Sequence, residues 1–169
     1  DIAGVINRKF GKKIITVPEP LIQGTATRVM SLRDGNKKMS KSDASDAARI
    51  NLTDSPDTIM QKLKKAKTDN LAEITYDPTH RPEVSNLINI FCALSQQTQN
   101  TIVEQYQIKG FSVFKSDLAE LIISKLDPIN TEYKKIIQDP KYIKDTLTHG
   151  ANKARIIAQK TCSIVAEQF

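Results

Sequence analysis

The chain has 169 residues, with 25 Lys or Arg against 19 Asp or Glu for a formal net charge of +6, and 39% of its residues are hydrophobic. That is an ordinary globular composition, long enough for one good core, which excludes a disordered chain, a fibrous repeat and a disulfide scaffold. The two cysteines, Cys92 and Cys162, each stand alone in an apolar helical pattern and are expected to be buried thiols; with no apolar run of bilayer length and no signal-peptide pattern, a cytoplasmic protein away from membranes is expected.

The opening stretch has helical spacing at Ile2, Val5, Ile6 and Phe10, and Gly11 stops it. It begins with Asp1 in place of Met and reads as cut from something longer. Lys13 to Val17 is a β-branched run ended by Pro18 and Pro20, which predicts one strand whose pairing partners lie elsewhere. Gln23 to Asp46 is rich in Gly, Ser, Thr, Asp, Asn and Lys, and predicts a long functional loop. Ile50 to Leu52 suggests a second short extended piece. Thr53 to Asp57 supplies capping side chains with Pro56 at a first helical turn, so a helix is predicted from there to about Lys67. Its Ile59, Leu63 and Ala66 face a core, and Lys62, Lys64, Lys65 and Lys67 read as solvated.

After turn signals at Tyr76 to Pro78 and Arg81-Pro82, helices are predicted over 83–95, 101–107, 115–138, 141–147 and 151–167, with Gly110 and Gly150 as boundaries. Leu87, Ile90, Phe91 and Leu94 form one apolar stripe. Leu118, Leu121, Ile122, Leu126, Ile129 and Tyr133 form a longer one, bent at Pro128. The chain therefore reads as mainly α, with an antiparallel helical body behind a short mixed opening. Lys153 and Arg155 near its end read as a solvated face.

Charge is placed unevenly: residues 1–50 carry ten Lys or Arg against five acids, and residues 51–169 carry fifteen against fourteen. A basic, Gly-containing segment beside a nearly neutral body suggests a polyanion handled locally, such as a nucleotide or an RNA backbone. The densest part is Asn36-Lys-Lys-Met-Ser-Lys-Ser-Asp43, with Lys38 and Lys41 three apart and hydroxyls at Ser40 and Ser42. Lysines place mobile ammonium charges on phosphate oxygens, and short serines let backbone amides approach an anion, which suits a triphosphate. The sequence has no Walker loop and no Gly-x-Gly-x-x-Gly fingerprint. His80 and His149, the two histidines, build no triad and read as surface or capping residues.

Lys38-Met-Ser-Lys-Ser42 matches the second signature of class I aminoacyl-tRNA synthetases, and the approach from Arg28-Val-Met-Ser-Leu-Arg-Asp34 into Lys37 to Asp43 resembles the bacterial-type tryptophanyl-tRNA synthetase family. Ser85 to Asn89, Lys109 to Lys115, Asp117-Leu-Ala119, Leu126 to Ile129 and Gly150 to Ala154 resemble that family's later half, so the likeness covers nearly the whole chain. It implies a C-terminal fragment: residues 1–52 as the remnant of a Rossmann-type catalytic domain (a helix, one or two short strands and the KMSKS loop), and residues 53–169 as a helical domain that binds the tRNA anticodon. It further implies activation of tryptophan with ATP and Mg²⁺, with no protein metal ligand in this part, and transfer of the acyl group to tRNA(Trp). Lys38 and Lys41 would be the catalytic cations, Val29 and Met39 would lie near adenine, and Ser40 and Ser42 would contact phosphate. The first signature, of the HIGH type, and the indole pocket are missing, so the fragment alone is expected to be inactive and its parent a homodimer joined through the absent portion. A tyrosyl-type synthetase fragment and a non-catalytic helical module for RNA or anions are the alternatives.

Overall fold

A computed structural model describes residues 1–168 apart from Gln23 and Thr25, so those two positions of the predicted loop, and Phe169, lie outside the described residues. Among these residues six α-helices follow one another: α1 (Ile2–Phe10), α2 (Pro56–Lys64), α3 (Pro82–Ser95), α4 (Gln99–Tyr106), α5 (Gly110–Ile136) and α6 (Pro140–Ala166), with one 3₁₀ turn at Asp46–Ala48. The chain divides into two compact units, one of Asp1–Leu21 with Lys134–Phe169 and one of Ile22–Tyr133; the second division falls inside α5.

The larger unit holds a core built from α2 to α5. Ser55 caps α2 by accepting from the Thr58 amide at 3.2 Å with Pro56 at the first helical position, as the capping cluster in the sequence predicts. Ile59 and Leu63 then turn inward. Thr98 caps α4 in the same way through the Thr101 amide. Between α3 and α4 the chain reverses at Gln96, whose φ of 61° is left-handed, and its amide closes on the Cys92 carbonyl at 2.8 Å. Phe91, Tyr106 and Phe114 pack with ring centroids 5.3–5.9 Å apart, which fixes α3, α4 and α5 around one aromatic centre. The Tyr106 hydroxyl reaches Asp117 at 2.8 Å, so its polar end is satisfied, and burial pushes its phenol pKa up.

The predicted stripes are partly correct. Leu118 and Ile122 are buried, and Leu121 and Leu126 pack against the same core. Ile129 and Tyr133, at the far end of that stripe, are about half exposed and face a cavity described below. Two expectations are corrected first. Lys62 is buried, not solvated, because two carboxylates receive its ammonium. The predicted strand at Lys13 to Val17 does not form: the amides of Ile14 and Ile15 donate to the Asn7 side chain at 2.8 and 2.9 Å, and its amide returns a bond to the Ile15 carbonyl. A β-branched run has no sheet to join here, and a single side chain satisfies its backbone instead. Among the described residues the β pairing is one isolated antiparallel bridge, Met30 to Lys38.

In the smaller unit α1 ends at Gly11, whose φ of 66° gives the left-handed cap that glycine supplies without strain. Cys162 is exposed, in contrast to the buried thiol expected, while Cys92 is buried as expected. α6 runs unbroken through Gly150, with Asp139 capping it through the Tyr142 amide, and none of its described residues is buried. Its apolar pattern alone predicts a covered helix, and in this chain it stays open to solvent. No helix among the described residues is long and apolar enough to cross a membrane.

Candidate functional site

The basic segment is shaped by a tight reversal from Val29 to Met39. Met39 donates to the Val29 carbonyl at 3.0 Å and Ser31 to the Lys37 carbonyl at 2.8 Å, while Asp34 closes the tip through the Asn36 and Lys37 amides. Such a two-stranded piece is marginal alone, and here it is pinned from three sides. Buried Leu32 donates to the Ala48 carbonyl and accepts from the Lys67 amide. Asn86, on α3, completes Met30 like a neighbouring strand, with Oδ1 accepting from its amide and Nδ2 donating to its carbonyl, both at 2.9 Å. Gly35 sits against the start of α3 so closely that a Cβ there would lie 2.5 Å from the Glu83 nitrogen and 2.6 Å from the Pro82 carbonyl carbon.

This platform delivers the signature residues. A turn follows Met39, with the Asp43 amide on the Ser40 carbonyl at 3.3 Å. The Ser40 and Ser42 hydroxyls lie 2.9 Å apart, and the Ser42 amide donates to Ser40 Oγ at 3.2 Å. Asp43 accepts from the Ser45 amide at 2.8 Å, so its carboxylate shapes the turn leading into the 3₁₀ segment. Lys38 and Lys41 are exposed and, among the described residues, neither has a carboxylate partner. Their charge is available to a ligand.

A cavity of about 670 Å³ opens beneath this loop. Val29, Lys38, Met39, Ser40 and Lys41 all line it, so five of the six sequence-predicted residues meet in one place, and Ser42 reaches it only through its contact with Ser40. Sequence reasoning did not find the other wall: Arg28, Arg49, Ile50, Asn51, Thr53, Ile129 and Tyr133 also line the cavity. Ile129 and Tyr133 belong to the apolar stripe of α5, whose period marks them as core residues; nothing local shows that the stripe outruns the core. Behind Val29 and Met39 a smaller, largely apolar space of about 230 Å³ is closed by Leu32, Ile90, Leu94, Ile122 and Leu126. The site thus combines cations on one rim with apolar and aromatic surface on the others, which suits a ligand with a flat ring and a polyanionic tail.

Charge behind the loop is neutralised. The Lys62 ammonium lies 2.7 Å from Asp46 and 2.6 Å from Asp54, and Arg49 lies 2.9 Å from Asp46. Hydrogen bonds from Lys62 and Asn51 hold the Asp46 carboxyl below the usual carboxylate range. Burial pushes Asp54 the other way, but Lys62 and Asn51 outweigh it and its pKa also falls. Burial likewise opposes the charge on Lys62, and the two carboxylates overcome it and raise its pKa. A second ion pair, with Arg81 clamped on Asp69 and on the Glu73 carbonyl, fixes the loop before α3. His80 is exposed and pairs with Asp77 in that loop, away from the lining of the cavity. Among the described residues no group of three or more His, Cys, Asp or Glu is arranged to hold a metal ion.

A helical body carrying a lysine loop over a nucleotide-sized cavity defines a class, and residues 1–127 match the family described as tRNA synthetases class I (W and Y); the chain belongs to that family. Among that family's members it is similar to proteins named tryptophan–tRNA ligase. It is 56% identical over 169 residues to that of Rickettsia conorii, covering 100% of this chain and 51% of the relative. It is 41% identical over 172 residues to that of Thermosynechococcus vestitus, covering 52% of the relative. Among solved structures, tryptophanyl-tRNA synthetase from Mycoplasma pneumoniae superimposes with a TM-score of 0.78 at 26% identity, covering 99% of this chain and 50% of that one. The enzyme from Campylobacter jejuni, complexed with ADP and tryptophan, gives a TM-score of 0.63 at 27% identity, covering 51% of its chain. The chain spans about half the length of the relatives it matches.

Proposed function

We propose that this chain works as the carboxy-terminal half of a tryptophan–tRNA ligase and carries the part of the active site that handles the triphosphate. The observation that carries this reading is the single cavity gathering Val29, Lys38, Met39, Ser40 and Lys41. The relatives' names support tryptophan over tyrosine, and the ADP held by the Campylobacter enzyme supports a nucleotide substrate. Residues 1–52 would then be the end of the catalytic domain and residues 53–169 the helical domain that meets the tRNA anticodon, in a cytoplasmic homodimer joined through the other half.

In the first step a tryptophan carboxylate oxygen attacks the α-phosphorus of ATP, the bond to the bridging oxygen breaks, and pyrophosphate leaves with that electron pair. ATP brings Mg²⁺ with it as substrate. Lys38 and Lys41 hold the β- and γ-phosphates and stabilise the charge that builds on the departing group, an electrostatic role without covalent catalysis. Val29 and Met39 offer an apolar face and backbone groups to adenine, and Ser40 and Ser42 keep the turn between the lysines short enough for both to reach one anion. Transfer to the 3′ end of tRNA(Trp) follows.

ATP–pyrophosphate exchange dependent on tryptophan, measured with the complete polypeptide containing this chain, tests the reading. Exchange with tryptophan but not tyrosine is the expected result. Binding of tRNA with no exchange would replace it with a non-catalytic RNA-binding module.

A further inference from the structure

Among the described residues Lys41 has no ion pair, and Ser40 and Ser42 bond within their own turn. The turn is held at two stems. The first is Met39, bonded to Val29. The second begins at Asp43, where the Ser45 amide bonds Asp43 Oδ1 and the Ala48 amide the Ser45 carbonyl, and the Arg49 guanidinium ties it across: Nη1 donates to the Asp43 carbonyl at 3.0 Å and reaches the Ser45 carbonyl at 3.4 Å. Arg49 is itself aimed by two acceptors, Asn51 Oδ1 at 3.1 Å and Asp46 Oδ1 at 2.9 Å. The other oxygen of Asp46 meets Lys62, whose side chain is only 7% exposed and is rooted in α2 beside Leu63.

We infer that Asp46 is a positioning residue for the signature loop: by joining Arg49 to buried Lys62 it fixes the stem on which Lys41 swings toward the triphosphate. This deepens the proposed function and rests on it. The physical reason is the place of Arg49, which lines the cavity that Lys38 and Lys41 also line. A guanidinium next to a triphosphate is drawn to the phosphates, where it binds in a planar fork. Asp46 neutralises it and holds it on the Asp43 and Ser45 carbonyls, so that the stem stays in place and the mobile charge over the phosphates is that of the lysines. A displacement of about 1 Å at a charge acting on the transition state can cost up to roughly a hundredfold in rate, so a fixed pivot matters even though the loop itself moves. An exposed ion pair by itself contributes little to stability, and Asp46 is 58% exposed, so its function is better sought in geometry than in folding. Lys62 keeps Asp54 when Asp46 is removed, and the core beneath it keeps its ion pair.

The test is Asp46→Ala in the complete ligase, read by tryptophan-dependent pyrophosphate exchange, alone and combined with Lys41→Ala. The expected result is a fall of about tenfold in kcat with the KM for tryptophan within about twofold, and a further loss of less than about twofold when Asp46→Ala is added to Lys41→Ala. Lys65→Ala, an exposed residue at the C-cap of α2, serves as the control with unchanged activity. Two outcomes overturn the inference: a kcat within about twofold of the unsubstituted enzyme, or the same tenfold loss with and without Lys41. Amide hydrogen exchange on the chain described here reads the stem without any activity. Asp46→Ala should speed exchange at Asp43 to Ser45 by more than about tenfold and leave α3 unchanged, and equal rates in both forms would also overturn it. An unsubstituted ligase without exchange activity sinks the proposed function instead, and the amide measurement then decides the stem alone.

Discussion

Two lysines on this chain show how far one residue's surroundings change its meaning. Lys41 is exposed and, among the described residues, without a carboxylate partner, and Lys62 is buried between two. In the complete ligase proposed above, Lys41→Ala should lower the rate of adenylate formation by roughly a hundredfold, about 3 kcal/mol, with tryptophan affinity nearly unchanged, because the proposed interaction strengthens as charge develops. Lys41→Arg should rescue only part of this, since a planar guanidinium does not reproduce a compact ammonium on a flexible stem. Single-turnover adenylate formation at saturating substrates measures both. Lys62→Met acts on folding: it leaves the Asp54 carboxylate buried without its cation and should cost about 3 kcal/mol, seen as a lower urea midpoint.

The same pairings set the acid limit of the larger unit. Asp54 is held low by Lys62 and Asn51 against the opposing effect of burial, and Asp69 is held low by Arg81. A depressed carboxylate contributes stability that is complete above its unfolded pKa of about 4 and is lost as pH falls through its lower folded value. The melting temperature should therefore be flat from neutral pH to about pH 5 and fall steadily below about pH 4. A titration in Lys62→Met should show a weaker fall.

At the scale of the element, one substitution has opposite signs at two glycines. Gly35→Ala places a Cβ against the backbone of Pro82 and Glu83, which cannot yield without moving α3 from the Val29 to Met39 platform, and should destabilise by about 1–3 kcal/mol. Gly150→Ala puts a Cβ into open space in the middle of α6, where alanine is the better helix former, and should stabilise that helix by about 1 kcal/mol. Denaturation of each variant, followed by circular dichroism, checks both signs. The long loop also divides at this scale. Gly35 packs against the start of α3, and Lys37 and Met39 bond back to Asp34, Ser31 and Val29, so slow amide exchange is expected at Lys37 and Met39, and fast exchange from Ser40 to Ser42.

For the whole molecule, the expectation is a helical protein without catalysis of its own. The cavity has cations on one rim, and on the proposed function the residues that hold tryptophan and the first signature would belong to the other half of the ligase, so the isolated chain should give no tryptophan-dependent pyrophosphate exchange. Exchange in a preparation free of the longer enzyme would overturn that expectation. The exposed apolar residues of α6, such as Leu147, Ile156 and Ile157, belong to the same picture of an amphipathic helix left open in this chain.

The sequence alone determined the helical character, a capped start of α2 within Thr53 to Asp57, and the signature run of which Lys38, Met39, Ser40 and Lys41 line the cavity, because periodicity, capping and a contiguous five-residue signature are local. What only the tertiary structure decided is everything that depends on partners far along the chain. Asn86 completes Met30 from 56 residues away, Asp54 and Asp46 turn Lys62 from a solvated charge into a buried one, and α5 sends Tyr133 to the cavity. The lost strand at Lys13 to Val17 has the same cause: β propensity needs a neighbouring strand to act on, and a side chain of α1 took the place of that neighbour.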